Sequence, residues 1–241
     1  MLKWKEQVAF VTGVNSGIGE AIAEKLVEKG LKVVGFATRS ERLIALAQKL
    51  STSQQGKFYP IAGDITNEDH IIHAFQWTQD NIGPVSVLIN NTPTCVLYYD
   101  DIDALKEILN ETVLGICIVS REAIKHMKEN NIDGHIINVG RLSRNETYFD
   151  SPCNNSLNPL TETLRLQLAA DESEIRITSL SYGCSESDFC NNNGPLDKLK
   201  YNNGLDERIF VVKPSDIAEV IIFVLSTPKH VNISKLTIQP I

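Results

Sequence analysis

The sequence predicts an α/β fold with a doubly wound parallel sheet of about seven strands flanked by helices. Strand-like and helix-like runs alternate along the whole chain, and several strand-like runs, "VSVLIN" and "HIINV" among them, are almost continuously apolar. Alternation calls for parallel strands joined by crossover helices. Continuous apolarity calls for strands covered on both faces. With 241 residues, 42% of them hydrophobic, the chain can bury one well-formed core. No linker, internal repeat or low-complexity tract divides it, so one domain over residues 1–241 is expected.

The first strand is expected over Gln7–Thr12, followed by a helix over Gly17–Lys29 whose Ile18, Ile22 and Leu26 recur at i,i+4 steps and form one apolar stripe. Further strands are expected at Lys32–Ala37, Lys57–Ala62, Val85–Asn90, His135–Val139, Arg176–Ser181 and Leu236–Gln239, with a helix after each of the first five. A last helix over Lys213–Ser226 is opened by Pro214 and carries Ile217, Val220, Ile221 and Val224 toward the core. The polar, Asn-rich Cys190–Arg208 predicts a loop or irregular helix and is the natural place for a lid.

The formal charge of −7 argues against nucleic acid or an anionic membrane as a partner and leaves a small molecule as the expected ligand. No apolar run approaches the length of a membrane span, and "MLKWKEQVAFVTG" has no apolar core followed by a cleavage site. No membrane insertion and a cytoplasmic location are therefore expected. Five cysteines, Cys95, Cys117, Cys153, Cys184 and Cys190, show no metal-ligand spacing and fit reduced thiols. Sequons at Asn90, Asn110, Asn145, Asn154 and Asn232 follow from an Asn-rich composition. His70 and His73 have i,i+3 helical spacing, but no third ligand stands beside them, so no metal site is expected.

The motif with the strongest chemistry is "VAFVTGVNSGIGEAIAEKL", which places Gly13, Gly17 and Gly19 between the first strand and the first helix. Glycines there allow a tight turn and let backbone N–H groups approach a pyrophosphate at the positive end of the helix. The context of strand, turn and amphipathic helix makes this a Rossmann-type dinucleotide site. At the end of the second strand, "GFATRSER" offers Thr38, Arg39 and Arg42 and no acid. An acid would hold the ribose hydroxyls of NAD, whereas arginines pair with a 2′-phosphate, so the expected cofactor is NADP.

The pattern T-G-x-x-x-G-I-G over Thr12–Gly19 resembles the short-chain dehydrogenase/reductase family. "DIT" at Asp64–Thr66 is similar to its adenine-binding turn, and "INNTP" at Ile89–Pro93 matches two residues of its N-N-A-G motif. The closing "KPSDIAEVIIFVLSTPKHVNISKLTIQP" is similar to that of the subgroup containing insect farnesol dehydrogenases. The resemblance covers essentially the whole chain. It implies cofactor contacts at Gly13, Asn15, Ser16, Gly17, Ile18, Gly19, Thr38, Arg39, Asp64, Ile65 and Asn90. It also implies a homodimer or homotetramer, associating through the helix around Ile108–Met127 and the one around Leu157–Leu168. Leu157, Leu160, Leu164 and Leu168 suit such a bundle, although in part they must face the protein's own core.

Members of that family use a Ser, a Tyr, a Lys four residues after the Tyr, and an Asn on the preceding long helix. Counting back from "LTETLRLQL" (Leu160–Leu168) puts Asp150 in the Tyr position and Asn154 in the Lys position; Arg141 takes the Ser position and Thr112 the Asn position. No lysine occurs between Lys128 and Lys198, so no shift of register restores a Tyr-x-x-x-Lys pair. The segment from Arg141 to Asp150 is also about four residues shorter than the family's. No catalytic residue is therefore assigned, and the first expectation is a non-catalytic protein that binds NADP(H) and a small, hydrophobic ligand. Two alternatives stand beside it. One is an NADP-dependent oxidoreductase of an alcohol/carbonyl couple with relocated groups, drawn from Asp150, Tyr148 or Tyr182. The other is a structural dimer subunit without cofactor.

Overall fold

Seven strands hydrogen-bond into one sheet in the order β3-β2-β1-β4-β5-β6-β7, and all their pairings are parallel. They are β1 (Val8–Thr12), β2 (Lys32–Ala37), β3 (Lys57–Ala62), β4 (Val85–Asn91), β5 (His135–Arg141), β6 (Arg176–Tyr182) and β7 (Lys235–Ile238). The computed structural model describes residues 1–15, 17–53, 56–91, 102–142, 150–183, 185 and 211–241; for residues 104 and 150–155 it describes the backbone. Ser16 and the segment 190–208 lie outside the described residues.

Burial follows position in the sheet. The strands β1, β4 and β6 are buried at every residue, whereas the edge strands β3 and β7 alternate between half-buried and exposed. The ends of β4, β5 and β6 run one or two residues past the expected limits. Register pairs Asn91 with Val139 and Arg141 with Tyr182 supply ladder bonds that the fading apolar pattern does not reveal.

Helices α1 (Gly17–Glu28), α2 (Ser40–Leu50), α3 (Glu68–Asn81), α4 (Ile102–Leu109), α5 (Ile116–Glu129), α6 (Asp150–Ala170) and α7 (Pro214–Ser226) carry the crossovers. One apolar layer joins α1, α2 and α7 to the sheet through Ile22, Leu26, Leu43, Leu46, Ile217 and Ile221. The opposite layer uses Phe75 of α3, Val119 and Met127 of α5 and Leu168 of α6, with Phe10 stacked on Phe75 at 4.5 Å between ring centroids. In α6, Leu157 and Leu168 are buried and Leu164 packs against this layer, so they serve the protein's own core.

Two expected helices are corrected. Lys213 caps the last helix from outside: its backbone N–H donates to the Asp216 carboxylate at 2.9 Å, and Pro214 occupies the first turn, where a missing N–H costs nothing. The long helix expected around Ile108–Met127 is interrupted by one π-helical turn, Asn110–Gly115, between α4 and α5. That turn packs closely on the loop after β3. A Cβ on Gly115 would stand 2.9 Å from Ile65 Cγ1 and 3.0 Å from the Ile65 carbonyl.

Candidate cofactor site

From β1 the chain winds through β2 and β3 to one side and then returns to β4 on the other, so a crevice opens between β1 and β4 at their C-terminal ends. The cleft there is lined by Thr12, Gly13 and Asn15 of the first turn, Phe36, Ala37 and Thr38 at the end of β2, Gly63 and Ile65 after β3, Asn91 at the end of β4, and Glu111 of the π turn.

The glycine turn is held from three sides. Gly13 has φ of +66°, its N–H donates to the Phe36 carbonyl at 2.9 Å, and a Cβ on it would lie 2.1 Å from the Asn91 carbonyl. A Cβ on Gly19 would lie 2.2 Å from the Gly13 carbonyl, so glycine at both positions lets the first turn of α1 close onto β1 and β4. Gly17 begins α1, and Ile18 is buried in the core beneath it. Asn91 locks the arrangement: its backbone N–H donates to Thr12 Oγ1 at 3.0 Å, that hydroxyl donates back to the Asn91 carbonyl at 3.3 Å, and Asn91 Nδ2 donates to the Gly13 carbonyl at 3.2 Å.

Asn90, by contrast, is fully buried. Its Nδ2 donates to Ser120 Oγ at 3.0 Å and to Asn138 Oδ1 at 2.8 Å, and Asn138 donates onward to Thr161 Oγ1 at 2.9 Å. That chain ties β4 and β5 to α5 and α6 from inside, while Asn91 lines the cleft. Asp64 is similarly occupied, with Oδ1 accepting from Thr66 N–H at 2.8 Å and Thr66 Oγ1 at 2.7 Å; its neighbours Gly63 and Ile65 face the cleft.

Arg39 Nη2 and Arg42 Nη1 both donate to the Asn15 carbonyl, each at 3.0 Å. Two exposed guanidinium groups thus meet at the mouth of the glycine turn, a donor set suited to a phosphate.

Thr112 is buried in the π turn, and its hydroxyl donates to the Ile108 carbonyl at 2.7 Å. Arg141 ends β5, half-buried, in register with Tyr182, which is itself buried in the apolar layer under α7. Asp150 and Asn154 lie in the first turns of α6, and Tyr148 lies outside the described residues. Glu111 was not foreseen from sequence. The signal available was an acid immediately before Thr112, the residue in the family's Asn position.

A family model for short chain dehydrogenases matches residues 7–197. The chain is 32% identical to a farnesol dehydrogenase of Aedes aegypti over 100% of its length and 98% of the relative's. It is 35% identical to the human dehydrogenase/reductase SDR family member 11, over 100% of this chain and 96% of that one. Among solved structures, L-sorbose reductase of Gluconobacter frateurii complexed with NADPH and L-sorbose superposes with a TM-score of 0.83 at 20% identity, covering 98% and 96% of the two chains. An alcohol dehydrogenase of Thermococcus sibiricus superposes with a TM-score of 0.81 at 20% identity, covering 96% and 95%.

These relatives correct the expectation of a non-catalytic protein and, with it, that of a structural subunit without cofactor. Full-length matches at 32–35% identity are named as dehydrogenases and reductases, and they support the oxidoreductase alternative over both. The physical reason is that a missing Tyr-x-x-x-Lys pair removes one route for the proton, not the hydride donor, which a nicotinamide cofactor supplies.

Proposed function

Because the chain belongs to the short-chain dehydrogenase family, we propose that it is an NADP-dependent oxidoreductase that interconverts an alcohol and a carbonyl, with its proton carried by a group other than a Tyr-x-x-x-Lys pair. The observation that carries the cofactor assignment is the convergence of Arg39 and Arg42 on the Asn15 carbonyl beside the glycine turn. Bound NADPH would supply the hydride. Gly13, Gly17 and Gly19 would admit its pyrophosphate to the N-terminal end of α1, Thr38 and Arg39 would hold the adenosine ribose and its phosphate, and Ile65 would wall the adenine. The name of the Aedes relative supports a prenyl alcohol/aldehyde couple as substrate.

Asp150 is the group we assign to proton transfer. It opens α6, the helix that follows β5, at the place where the family's sequence pattern puts its acid. A carboxylic acid can donate its proton to a carbonyl oxygen as that oxygen gains charge. Exposed Ile102 and Leu109 of α4, Leu114 of the π turn and Leu166 of α6 support pairing of two copies across α4 and α6.

Following NADPH oxidation with a prenyl aldehyde, and with short aliphatic and aromatic carbonyls as controls, tests the function. Consumption matched by alcohol product supports it; NADPH that binds and is not consumed with any carbonyl removes it. Among the described residues no helix is long and apolar enough to cross a membrane.

A further inference from the structure

Glu111 is the one acid among the described residues that line the cofactor cleft. It enters on the π turn, which Gly115 seats directly against Ile65. The cleft residues come from the ends of β1 to β4 and none comes from β5 or β6, so Glu111 faces the half of the crevice bounded by β2 and β3. In a crevice of this topology that half holds the adenosine end of a dinucleotide.

Among the described residues none donates a hydrogen bond to the Glu111 carboxyl. Burial, Glu107 and Asp64 act on its carboxyl, in that order, and all three hold it above the usual carboxylate range. Asp64 already spends one oxygen on Thr66. A half-buried carboxyl among acids is costly until a donor reaches it. Phosphate oxygens are only acceptors, and the adenosine ribose lies toward Thr38 and Arg39 at the end of β2. The adenine base carries a single donor, its exocyclic 6-amino group, and a carboxylate can only accept.

We propose that Glu111 accepts a hydrogen bond from the adenine 6-amino group and makes the site selective for the adenine base of the cofactor. This rests on the NADP assignment above. It adds a base-reading carboxyl to the adenine-binding turn that the resemblance implies at Asp64–Thr66, whereas the glycine turn and the arginines recognise pyrophosphate and 2′-phosphate and are blind to the base.

The test compares calorimetric binding of NADPH with that of its deamino analogue, in which hypoxanthine puts a carbonyl acceptor where adenine has the amine. For the unmodified protein the expected result is binding of NADPH about tenfold tighter or more, the usual scale for a hydrogen bond to a charged group. In Glu111→Gln the preference should narrow to within about threefold, since an amide can turn its oxygen to the amine or its nitrogen to the carbonyl. Equal affinity of the unmodified protein for both dinucleotides overturns this inference alone, as does a preference that survives unchanged in Glu111→Gln. Failure of both dinucleotides to bind overturns it together with the cofactor assignment.

Discussion

Arg39 and Arg42, three residues apart, hand their guanidinium groups to the same acceptor, the Asn15 carbonyl, each at 3.0 Å. Both are exposed, and two guanidinium groups side by side at the end of β2 form a donor set suited to a phosphate. Arg39→Ala and Arg42→Ala should each weaken NADPH binding by roughly tenfold, with little change for NADH. Calorimetric titration of both dinucleotides checks this, and equal losses for the two would show that the arginines act only on the turn.

Gly13 holds a left-handed φ of +66° while its α-carbon faces the Asn91 carbonyl, 2.1 Å from where a Cβ would stand. Gly13→Ala pays for the backbone conformation and for moving a carbonyl that is itself bonded to Thr12. A loss of at least about 2 kcal/mol is expected, which for a chain of this size lowers Tm by roughly 4–8 °C. Calorimetry or thermal unfolding reads it directly. A Tm shift under 2 °C would mean that the turn relaxes freely.

His135 predicts the pH dependence of folding. Its Nε2 lies 2.8 Å from Thr178 Oγ1, whose own proton goes to the Ile233 carbonyl at 2.7 Å, so Nε2 must be the donor and Nδ1 is left bare. Burial first, then the charges of Arg176 and Lys3, lower its pKa from 6.5 to about 3. The unfolded chain takes up this proton below pH 6.5 and the folded one does not. Stability is therefore flat above about pH 6.5 and falls as pH drops toward 3, by roughly 2 kcal/mol between pH 6.5 and 5. Denaturant titrations across that range should show a shallower fall for His135→Gln; an unchanged slope would place the effect elsewhere, His126 being also lowered by burial.

Much of this was legible in the sequence. Seven strands and the glycine turn could be placed because period, apolar runs and Gly13, Gly17 and Gly19 are local signals. What stayed hidden depends on contacts between distant residues. The second Asn of "INN" lines the cleft and the first does not, because a strand alternates its faces and only the pairing of β4 shows which face is which. The π turn at Asn110–Gly115 leaves no mark in a helical period, and without it Glu111 reads as a solvated helix acid. The missing Tyr-x-x-x-Lys pair was legible too, but its functional weight was not: absence of one acid says nothing of which other group stands over the nicotinamide.

Asp150→Asn separates chemistry from binding. An amide cannot deliver the proton, so turnover should fall by roughly 10² to 10⁴-fold, while NADPH affinity should stay within about twofold because the proposed cofactor contacts lie on α1 and β2. Steady-state kinetics beside calorimetry checks both. Unchanged turnover would move the proton to Tyr148 or to water.

Deuterium tracing shows whether hydride transfer persists here without the family's usual proton carrier. The purified protein is mixed with NADPH deuterated at the transferring position of the nicotinamide and with a prenyl aldehyde, and the alcohol is analysed by mass spectrometry. One deuterium is expected on the carbinol carbon, at a rate well above that without protein and lost with Arg39→Ala at limiting NADPH. Cofactor that binds tightly while the recovered aldehyde and every other carbonyl offered remain unreduced and unlabelled would contradict it.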